Sequence, residues 1–318
     1  MVTLGYTLSG EEHKPNDLVR HAQKAESLGF EFVSISDHFH PWVDKQGESV
    51  FVWGVIGGVA HATDRISLGT GVTCPTVRIH PAIIAQAAAT AASMMPGRFY
   101  LGVGTGENLN EHILGDHWPA YDQRAEMLEE AVDVIRMLWE GESVTYYGNY
   151  YTVENARIYT LPDKLPPIMV AAAGEKSAEL ASRIGDGLVM VSADADIVEQ
   201  FRSGSPTQRP VYGQITVCCH QDAEEARKIA HEWWPNAGIQ GEISQMLPTP
   251  AHFEQVAKLV REEDVAESVV CGNDVDAHRA KIQEYIDAGI DHVYIHQVGP
   301  DQDVFFDFYE QHILPHYN

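Results

Sequence analysis

The chain has 318 residues, 44% of them hydrophobic, enough to bury one large α/β core or two smaller ones. Against 21 Lys and Arg stand 46 Asp and Glu, a formal net charge of -25 that is spread along the chain, repels nucleic acid and anionic membranes, and predicts adaptation to a high-salt cytoplasm. No apolar run approaches the roughly 18 residues that span a bilayer, the start MVTLGYTLSGEEHK lacks a basic segment followed by an apolar one, and Cys74, Cys218, Cys219 and Cys271 form no CxxC pair, so a cytoplasmic enzyme without a metal site is expected.

In chain order, residues 2–8 (VTLGYTL) read as a strand and 15–29 as a helix with glycine at its C-terminal cap. Residues 30–36 (FEFVSIS) are a second strand, followed by a helix over 50–63. A third strand, 65–72 (RISLGTGV), leads to a helix over 81–95 with proline in its first turn. The fourth, 98–106 (RFYLGVGTG), leads to a long amphipathic helix over 121–139. A hairpin-like piece, SVTYYGNYYTV, interrupts the alternation, which resumes with strands PIMVAAA, DGLVMVS, VYGQITVCC and, at 291–297, DHVYIHQ. Strands alternating with helices along a whole chain predict a parallel sheet. Eight strand–helix pairs suit a single (β/α)8 TIM barrel over 1–318, with insertions near 142–162 and 237–262. The competitor is an open doubly wound sheet, but no GxGxxG opens the first helix, and GVGTGENLN follows the fourth strand with Glu107 intruding.

In a barrel, function gathers on the loops after the strands. Asp37, His38 and Trp42 follow strand two; Thr73, Cys74, Pro75 and Thr76 follow strand three; Thr105, Glu107 and Asn110 follow strand four; Ala172, Ala173 and Gly174 follow strand five; Ser192 follows strand six. Singly, each has an ordinary structural use: a turn-capping aspartate, one histidine among 16, a rim tryptophan, a solvated acid. Together, with Phe39 and Trp53 as an apolar rim, they predict a mouth that binds a flat ring and moves a proton.

The stretches SDHFHPW, GTGVTCPTVRIHPAIIAQ, GRFYLGVGTGENLNE and GDGLVMVS, in this order and spacing, resemble the luciferase-like flavin and deazaflavin oxidoreductases, and within them the coenzyme F420-dependent branch. The resemblance implies a TIM barrel, a homodimer, and the coenzyme F420 ring (8-hydroxy-5-deazaflavin) seated on a bulge after strand three, with a non-proline cis peptide matching Gly71–Val72. The positions matching the family's cofactor contacts are Asp37, Cys74, Thr105, Asn110, Ala173, Gly174 and Val191, with Ser192 beside them. Cys74 and Val191 depart from the glucose-6-phosphate branch, where both would be threonine. The resemblance gives His38 to the substrate hydroxyl, Glu107 to the ring side and Trp42 to the pocket wall. Oxidation of an alcohol needs a base for the hydroxyl proton and a proton donor at the ring, and histidine suits the first task near neutral pH.

A phosphate on the substrate would need fixed cations, which the sugar-phosphate enzymes supply with two lysines and an arginine. Alignment places Asp194, Gln245 and Ser268 at or near those positions, so a small neutral alcohol, free sugar or carbonyl compound is expected as substrate. Four other readings stay open: an F420-dependent sugar-phosphate dehydrogenase, an FMN-dependent monooxygenase, a methylenetetrahydromethanopterin reductase, and a silent barrel that only binds the deazaflavin.

Overall fold

The computed structural model describes residues 2–203, 208–239 and 241–317. Eight parallel strands close on themselves: β1 (Thr3–Leu8), β2 (Phe32–Ile35), β3 (Ser67–Thr70) and β4 (Phe99–Val103), then, beyond an antiparallel hairpin of β5 (Val144–Tyr147) and β6 (Thr152–Ala156), β7 (Ile168–Ala171), β8 (Gly187–Met190) and β9 (Val211–Cys218). The last barrel strand, β11 (His292–Gln297), pairs with both β9 and β1 and completes the ring. This is the (β/α)8 barrel the alternation predicts. A short strand, β10 (Val269–Cys271), lies outside the ring against the upper half of β9, and the sequence reading did not contain it.

Strand periodicity builds the interior. Phe32, Tyr100, Met169, Val189, Tyr212 and Tyr294, one from each of six strands, form a buried layer inside the ring, while alternate residues such as Val33, Leu101, Val170 and Ile295 join the core under the helices. The barrel is therefore a packed floor with its working surface at the strands' C-terminal ends. Helices bury their apolar stripes against the ring: in Pro15–Leu28 these are Leu18, Ala22 and Ala25, and Gly29 ends the helix at φ 95°, where a side chain would be strained.

Two departures from the predicted elements shape the mouth. Strand β3 stops at Thr70, short of the predicted Val72, because the chain leaves the ladder through a cis peptide at Gly71–Val72. The break is patched from both sides. Thr70 Oγ1 donates to the Gly102 carbonyl (2.7 Å) and accepts from its N–H (3.0 Å), and Thr73 pairs with Val103 as an isolated bridge. A Cβ on Gly102 would lie 1.9 Å from the Thr70 carbonyl oxygen, so only glycine permits this approach. Strand β8 also ends early, at the level of Gly213, leaving the upper half of β9 to β10 and opening a slot between the loop after β8 and β10.

Candidate active site

The loop after β2 carries the central imidazole. His38 Nδ1 lies 3.2 Å from Glu11 Oε1, a contact off the line of a well-formed hydrogen bond, and His38 Nε2 lies 3.5 Å from Glu107 Oε2. Glu11, in the turn after β1, is buried; its other oxygen accepts from Ser36 Oγ (2.7 Å) and Ser9 Oγ (3.1 Å). The imidazole is thus bracketed by one enclosed carboxylate and one facing the opening. Burial pushes the Glu107 carboxyl above its usual range; His38 opposes this, Glu11 and Glu111 add to it, and Arg124 offsets part. Because 30% of the Glu107 side chain remains exposed, the push is smaller than for a fully enclosed acid.

Beneath the mouth lies a buried ionic cluster. Arg78 Nη2 donates to Asp37 Oδ1 (2.9 Å) and to the Asp37 carbonyl (3.2 Å), while its Nε and backbone N–H face the Glu111 carboxylate at 3.4 and 2.8 Å. Asp37 Oδ2 accepts from Thr73 Oγ1 (2.8 Å). Desolvation alone would lower the Arg78 pKa, but Asp37 and Glu111 outweigh it and hold the guanidinium above its ordinary value. Both carboxylate oxygens of Asp37 are therefore engaged within the protein, so the structure uses Asp37 to join the loops after β2 and β3. Asn110 does the same for β2 and β4: its Oδ1 accepts from the Phe39 and His40 N–H groups, and its Nδ2 reaches Glu107 at 3.5 Å.

The remaining expected residues line the same rim. Cys74 is buried with Sγ 3.0 Å from Thr76 Oγ1, and burial, with Glu111 adding, pushes its thiol well up. The Thr105 and Gly106 carbonyls face Arg124. Ala172, Ala173 and Gly174 present nothing larger than a methyl group, and a Cβ on Gly174 would meet no atom within 4 Å. Val191 is 65% exposed, with Ser192 exposed beside it. The bulge at 71–74 and the ends of β7 and β8 thus present small and apolar groups, a lining whose chemistry suits a flat heterocycle. Trp42 forms the wall, 5.1 Å from the His38 ring, with Phe253 edge-on at 5.0 Å and Trp234 beyond. Phe39 is exposed, whereas Trp53 packs on the core beside Phe99.

Asp194 and Ser268 line one slot of about 490 Å³ together with Asp196, Glu267, Glu284 and Lys281. Its lysine is already paired with Glu284 (3.0 Å), and Asp194 caps the helix Ala195–Ser203 through the Asp196 and Ile197 N–H groups. Gln245 is elsewhere, accepting from Arg124 at 3.3 Å. The sequence reading missed Glu11, Arg78, Glu111, Trp234 and Phe253. The adjacent acids of SGEEH, at the end of a strand, were a usable signal for the first; Arg78 lay inside a quoted motif, but nothing local marks it as buried.

Comparison with known proteins decides the family. The sequence model for luciferase-like monooxygenases matches residues 2–292. The chain belongs to this family. It is 35% identical to the F420-dependent glucose-6-phosphate dehydrogenase of Microbacterium testaceum (strain StLB037), covering 98% of this chain and 96% of the relative. It is 37% identical to the F420-dependent hydroxymycolic acid dehydrogenase of Mycobacterium tuberculosis (strain ATCC 25618 / H37Rv), covering 98% and 87%. Its fold superimposes with a TM-score of 0.91 on an F420-dependent secondary alcohol dehydrogenase solved with an F420-acetone adduct, at 32% identity and 98% coverage of both chains.

Proposed function

We propose that this luciferase-like barrel is a coenzyme F420-dependent dehydrogenase acting on the hydroxyl carbon of a neutral alcohol or free sugar. The observation that carries it is His38, held between buried Glu11 and open-facing Glu107 on the loops at the strands' C-terminal ends. The three relatives named above are all F420-dependent dehydrogenases, which supports the coenzyme. When bound, a deazaflavin supplies a hydride acceptor. The chain's own groups then handle protons. His38 Nε2 takes the hydroxyl proton, and the Glu11 carboxylate near Nδ1 stabilises the imidazolium that results. Glu107, kept protonated to higher pH by burial, holds a proton for the ring side. Trp42 and Phe253 exclude water from the substrate face.

The slot favours a substrate without phosphate. Among the described residues, Asp194, Asp196, Glu267 and Glu284 surround one lysine, already paired, so a phosphate dianion entering there meets no free cation. Titrating the protein with coenzyme F420 and, separately, FMN tests the coenzyme by fluorescence quenching. Micromolar or tighter F420 binding and weak FMN binding are expected. Tight FMN with no deazaflavin signal refutes the proposal, and reduction of F420 preferentially by glucose 6-phosphate refutes its substrate half. F420 binding without turnover on any alcohol or sugar would reduce the chain to a deazaflavin carrier.

A further inference from the structure

Glu12 is a second buried carboxylate in the turn after β1, next in sequence to Glu11, and the proton chemistry above does not use it. Its side chain is 0% exposed. Oε2 lies 2.8 Å from His296 Nε2, at the end of β11, and Oε1 accepts from the Gly299 N–H at 2.9 Å. Burial raises the Glu12 carboxyl, but His296, His13 and the Gly299 N–H outweigh it and hold it below its usual range. His296 is itself 1% exposed; among the described residues its Nδ1 has no partner, so Glu12 takes the ring's whole hydrogen-bonding capacity within the protein.

We propose that the Glu12–His296 pair is a positioning unit that holds the Glu11 carboxylate against His38. The backbone forks at these two residues. Glu11 reaches sideways to β2, where Ser36 and His38 meet it, and Glu12 reaches to the opposite neighbour of β1, which is β11. Glu12, bound at both oxygens, restrains rotation of the loop 9–13 and so keeps Glu11 near Nδ1. The same pair supports the pocket wall: the His296 ring lies 4.4 Å from Trp234, which in turn abuts Trp42. Outer groups that orient an inner one typically matter about 10–100-fold in function, although they touch neither substrate nor coenzyme.

The inference rests on His38 being the group that takes the substrate proton, and its first test needs neither coenzyme nor substrate. Nitrogen-15 NMR of the histidine rings in the free protein reports which nitrogen of His38 carries the proton. In the wild type it is expected on Nδ1, facing Glu11. In Glu12→Ala the signal moves to a mixture of tautomers, kcat falls about 10–100-fold, and the F420 dissociation constant stays within about threefold of wild type, the scatter expected of a residue that does not touch the coenzyme. Glu12→Gln keeps an acceptor for Gly299 and a hydrogen bond to His296, so it restores most of both signals. Should Glu12→Ala fail to fold, His296→Leu, which has no donor for Glu12, breaks the same contact from the other side and is read identically. An unchanged His38 tautomer in the broken pair overturns the proposal, as does a Glu12→Gln loss equal to that of Glu12→Ala. An intact tautomer response in a protein that does not bind F420 instead counts against the proposed function alone.

Discussion

At the residue scale the candidate site is two carboxylates around one imidazole, and their different burial underlies the separate roles proposed for them. If His38 is the proton acceptor proposed above, His38→Ala should lower alcohol oxidation about 10²–10⁴-fold while F420 affinity changes little. Steady-state reduction of F420 alongside a binding titration checks this; a full rate would move the base to another residue, with His40 the first alternative. Glu107 gives the pH dependence. Its pKa is raised, so the protonated acid survives above the ordinary carboxyl range, and kcat for oxidation should decline as pH rises through the shifted value. Glu107→Gln keeps the shape but has no acidic proton, so it should slow turnover and abolish that alkaline decline. A mutant profile with the same decline would assign the limb to another group. That His38, Trp42 and Glu107 come together at the mouth was legible in the sequence, because they follow strands at the end where a barrel gathers its loops. What was not legible is support from below. Asp37 and Asn110 read as ligand contacts, yet their polar atoms are engaged by Arg78, Thr73 and the 39–40 backbone, pairings set by folding between residues up to 71 positions apart.

At the scale of elements, the loop after β3 depends on one cation. Arg78 neutralises Asp37 and Glu111 in a region none of the three leaves: their side chains are 7%, 1% and 1% exposed. Removing it strands two buried carboxylates, so Arg78→Gln should destabilise by about 3–5 kcal/mol, and Arg78→Lys should recover only part, since an ammonium cannot present the same fork. Denaturant midpoints decide; a cost under about 1 kcal/mol would mean the cluster is not compensating charge. A second element, the helix Pro15–Leu28, carries an acid-sensitive group. His21 packs edge-on to His13 and near Tyr6, and desolvation, with His13 and Arg20 adding, lowers its pKa to about 4. The unfolded chain then binds this proton first. Stability from His21 is whole above its unfolded value near 6.5 and drains as pH falls toward 4, by roughly 2–3 kcal/mol. Thermal melts should drop over that window in the wild type and less in His21→Gln. The eight barrel strands were readable because alternation and turn residues repeat along the chain. β10 was not, because three residues that take up the flank of β9 left free above Gly213 carry no period of their own.

At the scale of the whole molecule, charge is the dominant unpaired quantity. Even if every one of the 21 Lys and Arg met its own acid, 46 − 21 = 25 carboxylates would remain without a cation. Added salt weakens the ion pairs and the repulsion alike, but the unpaired acids outnumber the available pairs, so relief of repulsion should win. Most pairs are also exposed, such as Lys176–Asp122 and Arg183–Glu129, and pairs of that kind contribute about 0–1 kcal/mol each, which leaves little to lose. The buried Arg78 cluster is shielded from solvent ions and should be nearly indifferent. Screening shortens from about 30 Å at 0.01 M to about 3 Å at 1 M, from a reach comparable with the barrel's width to less than the spacing of neighbouring strands. The melting temperature should therefore rise steadily across a potassium chloride series, with activity following. The charge-to-neutral variant Glu284→Gln, which leaves Lys281 unpaired, should flatten that rise only slightly, since it alters one charge in 25. A melting temperature independent of salt, or one that falls, would refute adaptation to concentrated salt and leave the acidity without a role in folding.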